Sequence, residues 1–349
     1  MKPSKQKSLL VCIGLLILSL ACSQTGIPTQ PSASSSDWYT LYFSDPGGPH
    51  SDSQRGGPDA ALAEAIDQAQ LSIDLAIYDL NLWSIRDALL DAHQRGITVR
   101  IVTESDNLDR PEMQALQSAG IRILGDRHQS LMHNKFIVID GYEVWTGSMN
   151  LTLNGAYHNN NTLIQINSTR LAENYTVEFE EMFIDDMFSS FSSIDTPHPV
   201  LTLEGTQIES FFAPDDSPQS RIAELINNAQ HSVHILAFAF TADPISQAVN
   251  AAHQRGLEVS GVIETGQADN SGSDFQSLVD AGVDFQLDGN YRKMHHKVII
   301  IDGQIVIFGS YNFSRSAEER NDENLLIIHS AVLAAQFEAE FDLVYQNAQ

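Results

Sequence analysis

The segment 131–150 reads LMHNKFIVIDGYEVWTGSMN, and a second segment, 293–312, reads KMHHKVIIIDGQIVIFGSYN. Both fit the pattern H-x-K-x4-D-x6-G-S-x-N without an insertion. Two complete copies with the same internal spacing are a much stronger signal than a single copy. The polar positions of the two copies are, in order, His133, Lys135, Asp140, Ser148 and Asn150, and His295, Lys297, Asp302, Ser310 and Asn312.

Each copy is predicted to form a β-hairpin. Side chains two residues apart on a strand share a face, so His133 and Lys135 are expected to point the same way. The apolar run 136–139 predicts a buried strand, and the Asp-Gly pair that follows predicts a tight turn into a second strand. A lysine charge beside neutral serine and asparagine groups suits a phosphate held next to an imidazole.

At these residues the sequence resembles the phospholipase D superfamily, the HKD phosphodiesterases. The resemblance covers both motifs and, with the repeat described below, nearly all of the chain from residue 38. It implies an α/β fold with two similar lobes, each a mixed β-sheet flanked by helices. A pseudo-twofold axis is expected to relate the lobes and to bring the two motifs together at their interface.

The resemblance also implies the chemistry. One motif histidine attacks phosphorus and forms a phosphohistidine, while the other protonates the leaving alcohol and then activates water. His133 and His295 are therefore the expected reacting pair, and no metal or cofactor is expected because lysines supply the positive charge. The groups expected to bind the phosphate oxygens are Lys135, Lys297, Ser148, Ser310, Asn150 and Asn312.

Two further pairs of residues are expected to support the site. Asp140 and Asp302 lie five residues after the motif lysines, about 16 Å away along a strand, so a structural role at the turn is favoured over catalysis. The family also has a downstream carboxylate that orients a motif histidine. Glu323 has that position relative to His295, and the same offset from His133 gives Asn161.

The charge difference between Glu323 and Asn161 suggests different roles for the two histidines. A carboxylate favours the protonated imidazole that a general acid needs, whereas an amide orients the ring without adding charge. If Glu323 contacts His295 and Asn161 contacts His133, then His295 is the better acid. His133 is then the better nucleophile.

From Trp38 onward the chain is a tandem repeat. The sequence HQRG occurs at 93–96 and again at 253–256, and other landmarks recur at offsets of 160 to 162 residues. Helical and strand patterns alternate in both halves, which indicates an α/β sheet. The lobes are predicted to span 38–195 and 206–349, and the break falls in a Pro-containing stretch near 192–205.

The N-terminus is predicted to direct export. Residues 1–21 carry lysines followed by an apolar run, as in a secretory signal peptide. The residues before Cys22 resemble a bacterial lipoprotein cleavage site, with Cys22 as the lipidated residue; an ordinary secretory signal is the alternative. Residues 22–37 are predicted to be a Ser/Pro-rich tether. We therefore expect the protein to be anchored by lipid in the bacterial cell envelope. Separately, we expect a monomer, although no sequence pattern determines the oligomeric state.

Composition limits the functions that fit. The chain has 349 residues and a net charge of −26, which counts against non-specific capture of nucleic acid. Its only cysteines precede the folded part, so neither disulfides nor thiolate metal sites are expected there. A basic site in an acidic shell is nevertheless expected, because cations occur close in sequence to the two motifs. These cations are Arg127, Arg292, Lys293, Arg315 and Arg320.

Three functions remain open from the sequence. The first is a phospholipase D-type hydrolase that cleaves phospholipids on the alcohol side of the phosphate. The second is an endonuclease that cuts DNA or RNA through the same intermediate, and the third is a binding protein with an idle site. Acidity and lipid anchoring favour a phospholipid substrate, although no long insertion with exposed apolar residues is evident. Two complete motifs argue against an idle site, and transfer to an alcohol is a less favoured variant of the first reaction.

Overall fold

The structure is a computed structural model that describes residues 34–36, 38–127 and 129–349. The predicted signal peptide (1–21), the predicted lipidation site Cys22 and most of the predicted tether (22–37) lie outside the described residues. Near the end of that tether, Ser34–Ser35 forms a short strand that pairs with Tyr39–Phe43 and extends the sheet of lobe 1.

Lobe 1 contains nine strands and six helices among the described residues. Its strands are β1 Ser34–Ser35, β2 Tyr39–Phe43, β3 Ser72–Ile77, β4 Thr98–Thr103, β5 Arg122–Gly125, β6 Lys135–Ile139, β7 Glu143–Gly147, β8 Asn159–Asn160 and β9 Thr162–Asn167. Its helices are α1 Pro49–Ser53, α2 Pro58–Gln68, α3 Trp83–Gln94, α4 Pro111–Ser118, α5 Leu153–Tyr157 and α6 Thr169–Phe183.

Lobe 2 repeats the main strands and helices in the same order, but among the described residues it has no counterpart of α1 and has additional short strands. Its strands are β10 Val200–Leu203, β11 Thr206–Ala213, β12 Ser232–Ala237, β13 Phe240–Thr241, β14 Glu258–Ile263, β15 Asp284–Leu287, β16 Lys293–Met294, β17 Lys297–Ile301, β18 Ile305–Gly309, β19 Phe313–Ser314 and β20 Glu323–His329. Its helices are α7 Gln219–Asn228, α8 Asp243–Gln254, α9 Thr265–Ala268, α10 Phe275–Asp280, α11 Arg315–Glu319 and α12 Ala331–Gln346.

Each lobe is built on an eight-stranded mixed sheet. The strand orders are β1-β2-β9-β7-β6-β3-β4-β5 and β10-β11-β20-β18-β17-β12-β14-β15, so the two sheets correspond position by position. The strands β3, β4 and β5 are parallel, whereas the hairpin β6–β7 and the strands β9 and β2 are antiparallel. The predicted fold of two similar α/β lobes with mixed sheets is therefore confirmed.

The two lobes share one hydrophobic core. Apolar side chains from the inner faces of both sheets pack with the buried faces of α6 and α12, including Phe136, Phe179, Phe308 and Phe337. The outer face of each sheet packs against its own helices in a separate cluster. The motif strands β6 and β17 are buried along their whole length, which explains their unbroken apolar sequence.

The boundary between the lobes differs from the prediction. Lobe 2 was expected to begin at residue 206, but β10 starts at Val200 and joins the second sheet next to β11. Because a four-residue edge strand has too little periodicity to stand out beside prolines, the sequence pattern assigned it to the break. The segment between residues 45 and 58 contains the short helix α1. No helix in the described part of the chain is long and apolar enough to cross a membrane.

The motif aspartates anchor their hairpins. Asp140 and Gly141 both have positive φ angles, of 55° and 63°, which confirms the predicted tight turn. The Asp140 carboxylate accepts hydrogen bonds from the backbone N–H groups of residues 70, 71 and 72, where β3 begins. Asp302 repeats the arrangement with residues 230, 231 and 232. These contacts agree with the predicted structural role of the two aspartates.

Removing an anchor is expected to destabilise the fold. Burial raises the pKa of Asp302 but three backbone N–H groups lower it more, so its folded pKa lies below the usual value. Asp302→Ala should reduce the free energy of unfolding by about 1–3 kcal/mol at neutral pH, because several N–H groups lose their acceptor. The difference from wild type should shrink as the pH falls through that lowered pKa, when the carboxylate becomes protonated.

Urea unfolding of wild type, Asp302→Ala and Asp302→Asn between pH 3 and pH 7 provides the measurement. Asp302→Asn keeps one acceptor oxygen and should lose less stability than Asp302→Ala. Equal stability of all three proteins at neutral pH would contradict the anchoring role.

Candidate active site

Each motif forms backbone hydrogen bonds with the opposite lobe. Met132 forms a β-bridge with Asp322, and the His133 N–H donates to the Asp322 carbonyl at 3.0 Å. In the same way β16 pairs with β8, and the His295 N–H donates to the Asn160 carbonyl at 3.0 Å. The contacts are reciprocal, as expected for lobes related by a pseudo-twofold axis.

This pairing gives the histidines partners that differ from the prediction. His133 Nδ1 lies 2.8 Å from Glu323 Oε2, and His295 Nδ1 lies 2.8 Å from Asn161 Oδ1. The expectation that Glu323 contacts His295 and Asn161 contacts His133 is therefore wrong. The start of β20 lies beside the motif of lobe 1 because the two lobes pair through their backbones. Residue spacing within one lobe cannot reveal such a contact.

The partners fix which ring nitrogen is open to a substrate. The Asn161 side-chain N–H₂ donates to the Gly155 carbonyl at 2.9 Å, so the Asn161 oxygen faces His295 as an acceptor. The His295 Nδ1 must then carry the hydrogen, and its Nε2 keeps the lone pair. Glu323 has the same effect on His133. Both imidazoles consequently hold Nε2 available for bond formation or proton transfer.

The motif serines hold these partners in place. Ser148 Oγ donates to Asn161 Oδ1 at 2.9 Å, and Ser310 Oγ donates to Glu323 Oε2 at 2.7 Å. Both hydroxyl hydrogens are thus already donated, which differs from the predicted role of the serines as phosphate donors. The preceding glycine makes this geometry feasible, since a Cβ atom on Gly147 would clash with the Thr162 carbonyl.

The motif lysines lie deep in the same site. Lys135 Nζ donates to the His133 carbonyl at 2.7 Å, and Lys297 Nζ donates to the His295 carbonyl at 2.9 Å. Burial lowers the pKa of Lys135 to about 7, although Glu323 and Asp79 raise it. Burial and the charge of Lys135 also lower the pKa of Lys297 well below its ordinary value. An anion bound between the two ammonium groups would relieve this mutual repulsion.

Both histidines are neutral at neutral pH. Burial lowers the pKa of His133 to about 4, even though the neighbouring Glu323 carboxylate raises it. Burial, followed by the charges of Lys297 and Lys135, lowers the pKa of His295 well below its ordinary value. Protonation of His133 would lower the pKa of His295 further, because the two motif histidines lie in one site.

The motif asparagines have capacity for a ligand. Asn150 and Asn312 follow β7 and β18 at equivalent positions and are half-buried. Among the described residues, the Oδ1 atom of each is buried without a hydrogen-bond partner. Each carboxamide can therefore reorient towards a bound group without breaking an existing bond at Oδ1.

Sequence reasoning missed a second set of polar contacts across the interface. Asn134 donates to Glu178 at 3.0 Å and accepts a hydrogen bond at 3.0 Å from Asn324 of lobe 2. His296 occupies the equivalent position in lobe 2, and its ring nitrogens lie 2.9 Å from Thr162 and 3.0 Å from Glu340. The variable position between the motif histidine and lysine thus fastens the two lobes together.

Sequence reasoning also missed an aromatic residue beside each motif histidine. The Tyr78 ring lies 5.1 Å from the His133 ring, and the Phe238 ring lies 4.8 Å from the His295 ring, both edge to face. Tyr78 and Phe238 follow β3 and β12 at matching positions in the repeat, a signal that could have identified them. Each aromatic ring packs against one motif histidine.

The described residues include no group of three or more histidine, cysteine or acidic side chains placed to hold a metal ion. The side chains that converge at the candidate site are two neutral imidazoles, two lysines and two carboxamides.

The crossed contacts predict selective effects on the two imidazoles. In Glu323→Gln the Nδ1–H proton of His133 loses a charged acceptor, so its NMR resonance should move upfield, while that of His295 stays in place. Asn161→Asp should move only the His295 resonance, and in the downfield direction. A change at His295 in Glu323→Gln would contradict the contacts described above.

Comparison with known proteins identifies the family. Residues 62–183 and 222–345 each match the family model described as cardiolipin synthase, phospholipase D-like domain. Similar curated proteins include mitochondrial cardiolipin hydrolase of Chlamydomonas reinhardtii, 33% identical over 126 residues, which are 36% of this chain and 56% of that protein. Another is phospholipase D of Rickettsia bellii, 29% identical over 158 residues, or 44% of this chain and 79% of that protein.

The chain thus spans only about half the length of the cardiolipin hydrolase that it matches. Among solved structures, phosphatidylserine synthase of Haemophilus influenzae Rd KW20 covers 83% of this chain, with 84% of its own chain, a TM-score of 0.65 and 13% identity. That similarity establishes the two-lobed fold. Since the family model matches more than half of the sequence, once in each lobe, the chain belongs to the phospholipase D-like family.

Proposed function

We propose that the protein is a phospholipase D-type phosphodiesterase that hydrolyses phospholipids on the alcohol side of the phosphate. The reaction proceeds through a covalent phosphohistidine and needs no metal ion. One observation carries the proposal: two imidazoles share a buried site, each with Nδ1–H held by an acceptor and Nε2 open, beside two lysines. That is the equipment for nucleophilic attack at one nitrogen and proton transfer at the other.

His133 is proposed as the nucleophile, for a reason that differs from the sequence argument. Its pKa of about 4 leaves the ring neutral at neutral pH despite Glu323, so the carboxylate does not block attack. Glu323 instead increases the electron density of the ring and stabilises the positive charge that the imidazole acquires when Nε2 binds phosphorus. Asn161 gives His295 no such stabilisation.

His295 is proposed as the general acid and base. The bound phosphodiester anion offsets the lysine charges that lower the pKa of His295, so substrate binding favours its protonation. As the His133 Nε2–P bond forms, the bond from phosphorus to the leaving alcohol breaks and His295 gives its proton to the alcohol oxygen. In the second step His295 takes a proton from water, the water oxygen binds phosphorus, and the N–P bond breaks.

Charge and surface support a lipid substrate over a nucleic acid. The chain has 45 acidic and 19 basic residues, which disfavours a polyanionic partner. The segment between the lobes carries the exposed apolar side chains Ile184, Met187 and Ile194, although no such surface was evident in the sequence. The Ser189 N–H, within that segment, donates to the side chain of Asp322, whose carbonyl accepts from the His133 N–H, so the segment that carries these apolar side chains contacts the motif of lobe 1.

The names of the related proteins, cardiolipin hydrolase and phospholipase D, agree with a lipid substrate. Lipid anchoring through Cys22 in the cell envelope would keep the enzyme beside its substrate. A nuclease remains the second candidate, because the same chemistry cleaves nucleic-acid phosphodiesters. The exposed cations Arg292 and Lys293 lie beside the site and could contact a nucleic-acid backbone.

A substrate panel tests the proposal. Purified protein with EDTA should release the head-group alcohol from phosphatidylcholine or cardiolipin vesicles, and His133→Ala should reduce the rate by at least about a hundredfold. Single-stranded and duplex DNA should remain intact under the same conditions. Complete loss of lipid hydrolysis with EDTA and recovery with a divalent ion would contradict the metal-independent mechanism, and cleavage of DNA alone would support the nuclease.

Trapping the intermediate tests the division of labour between the histidines. With an ester of 4-nitrophenol the leaving group needs no proton, so His295→Ala should still accumulate a covalent adduct because only its hydrolysis is slowed. Mass spectrometry should place the adduct on His133, and His133→Ala should form none. An adduct on His295 in the wild-type protein would reverse the assignment.

A further inference from the structure

We propose that Lys293 forms a subsite for an anionic group on the leaving alcohol. The inference rests on the proposed function and adds a substrate preference to it. Phosphodiesters whose leaving group carries a carboxylate or a second phosphate should be better substrates than those with a neutral or cationic leaving group. Neither the motif residues nor the family match assigns a role to this lysine.

The position of Lys293 follows from a shared aromatic ring. Its ammonium lies 5.3 Å from the centre of the Phe238 ring, and the same ring lies 4.8 Å from His295 and 4.8 Å from the Lys297 ammonium. The Lys293 ammonium is therefore within about 10 Å of the His295 ring, at the solvent side of the site. The positive charge of Lys293 also contributes to the lowered pKa values of His295 and Lys297, in agreement with this proximity.

Backbone pairing fixes the base of this side chain. Lys293 begins β16, whose register against β8 pairs Lys293 with Asn159. The Lys293 carbonyl accepts a hydrogen bond from the Asn290 side chain at 3.2 Å. The lysine therefore extends from an ordered segment next to His295, and only its flexible stem needs to move to meet a ligand.

The charge of Lys293 is available to a ligand. Among the described residues no carboxylate lies within ion-pair distance of its ammonium, although the chain carries 45 acidic residues. Its solvent-exposed side chain is instead placed on an aromatic face, where a cation stays accessible. Since no described carboxylate neutralises it, the Lys293 ammonium is able to bind an anion from outside the protein.

Comparison of the two repeats shows that the cation Lys293 has no equivalent in lobe 1. The position equivalent to Lys293 in lobe 1 is Leu131, which precedes His133 as Lys293 precedes His295. The aromatic neighbour of His133 is Tyr78, whose ring lies near Lys135 and, within the described part of the chain, has no second lysine over it. The difference between the two lobes therefore distinguishes the side of the nucleophile from the side of the acid.

The proposed reaction places the leaving alcohol on the side of the site that carries Lys293. If His133 attacks phosphorus, the leaving alcohol must face His295, and hence Phe238 and Lys293. In phosphatidylserine the carboxylate carbon is only four covalent bonds from phosphorus, so it can approach the Lys293 ammonium while the phosphate lies between the histidines. Phosphatidylethanolamine is identical except that it lacks the carboxylate, which makes the two lipids a matched pair.

The experiment compares kcat/KM for short-chain phosphatidylserine and phosphatidylethanolamine below their micelle-forming concentrations. An exposed ion pair of modest strength predicts that wild type prefers phosphatidylserine by about two- to fivefold. Lys293→Leu, which installs the residue found at Leu131, should bring the ratio of the two values close to one. Arg170→Leu removes the same charge at the start of α6 and should retain the wild-type ratio.

Two outcomes would overturn the subsite. Either Lys293→Leu keeps the wild-type ratio, whether or not both values fall, or Leu131→Lys in the Lys293→Leu background restores the preference. The last result would indicate general attraction of anions and no dependence on the leaving-group side. Failure of wild type to hydrolyse either lipid is a distinct result, because it overturns the proposed lipid hydrolysis and the subsite together.

Discussion

Each motif histidine is oriented by a side chain from the opposite lobe, and the rest of the site depends on that exchange. His133 of lobe 1 is held by Glu323 of lobe 2, and His295 of lobe 2 is held by Asn161 of lobe 1. Neither lobe alone contains both a histidine and the acceptor that fixes its tautomer. The continuous core between the two sheets is therefore a requirement for the chemistry as well as for stability.

The repeat makes the two halves alike in backbone and unlike in charge. The hairpins, their aspartate anchors and the glycine that brings β7 close to β9 recur in lobe 2. At the positions that contact the histidines, however, lobe 2 has the carboxylate of Glu323 where lobe 1 has the amide of Asn161. Beside the site, lobe 2 has Lys293 where lobe 1 has the apolar Leu131. A symmetric frame can thus hold two histidines in equivalent poses and still assign them different roles.

Much of this organisation could be predicted from the sequence. The two motifs, the tight Asp-Gly turns, the two α/β lobes and the structural role of Asp140 and Asp302 follow from local pattern and spacing. The partners of the histidines could not be predicted, because they depend on pairing of β16 with β8 and of Met132 with Asp322 between the lobes. The roles of Ser148 and Ser310 depend on the same contacts.

His133 and Glu323 act as a pair across the lobe interface. A double-mutant cycle on the free energy of unfolding, with His133→Ala and Glu323→Gln, measures their coupling directly. We expect a coupling energy of about 1–3 kcal/mol for this pair, and a value near zero for the cycle that combines His133→Ala with Asn161→Ala. Coupling of His133 to Asn161, with none to Glu323, would show that the histidines are not held by the opposite lobes in this way.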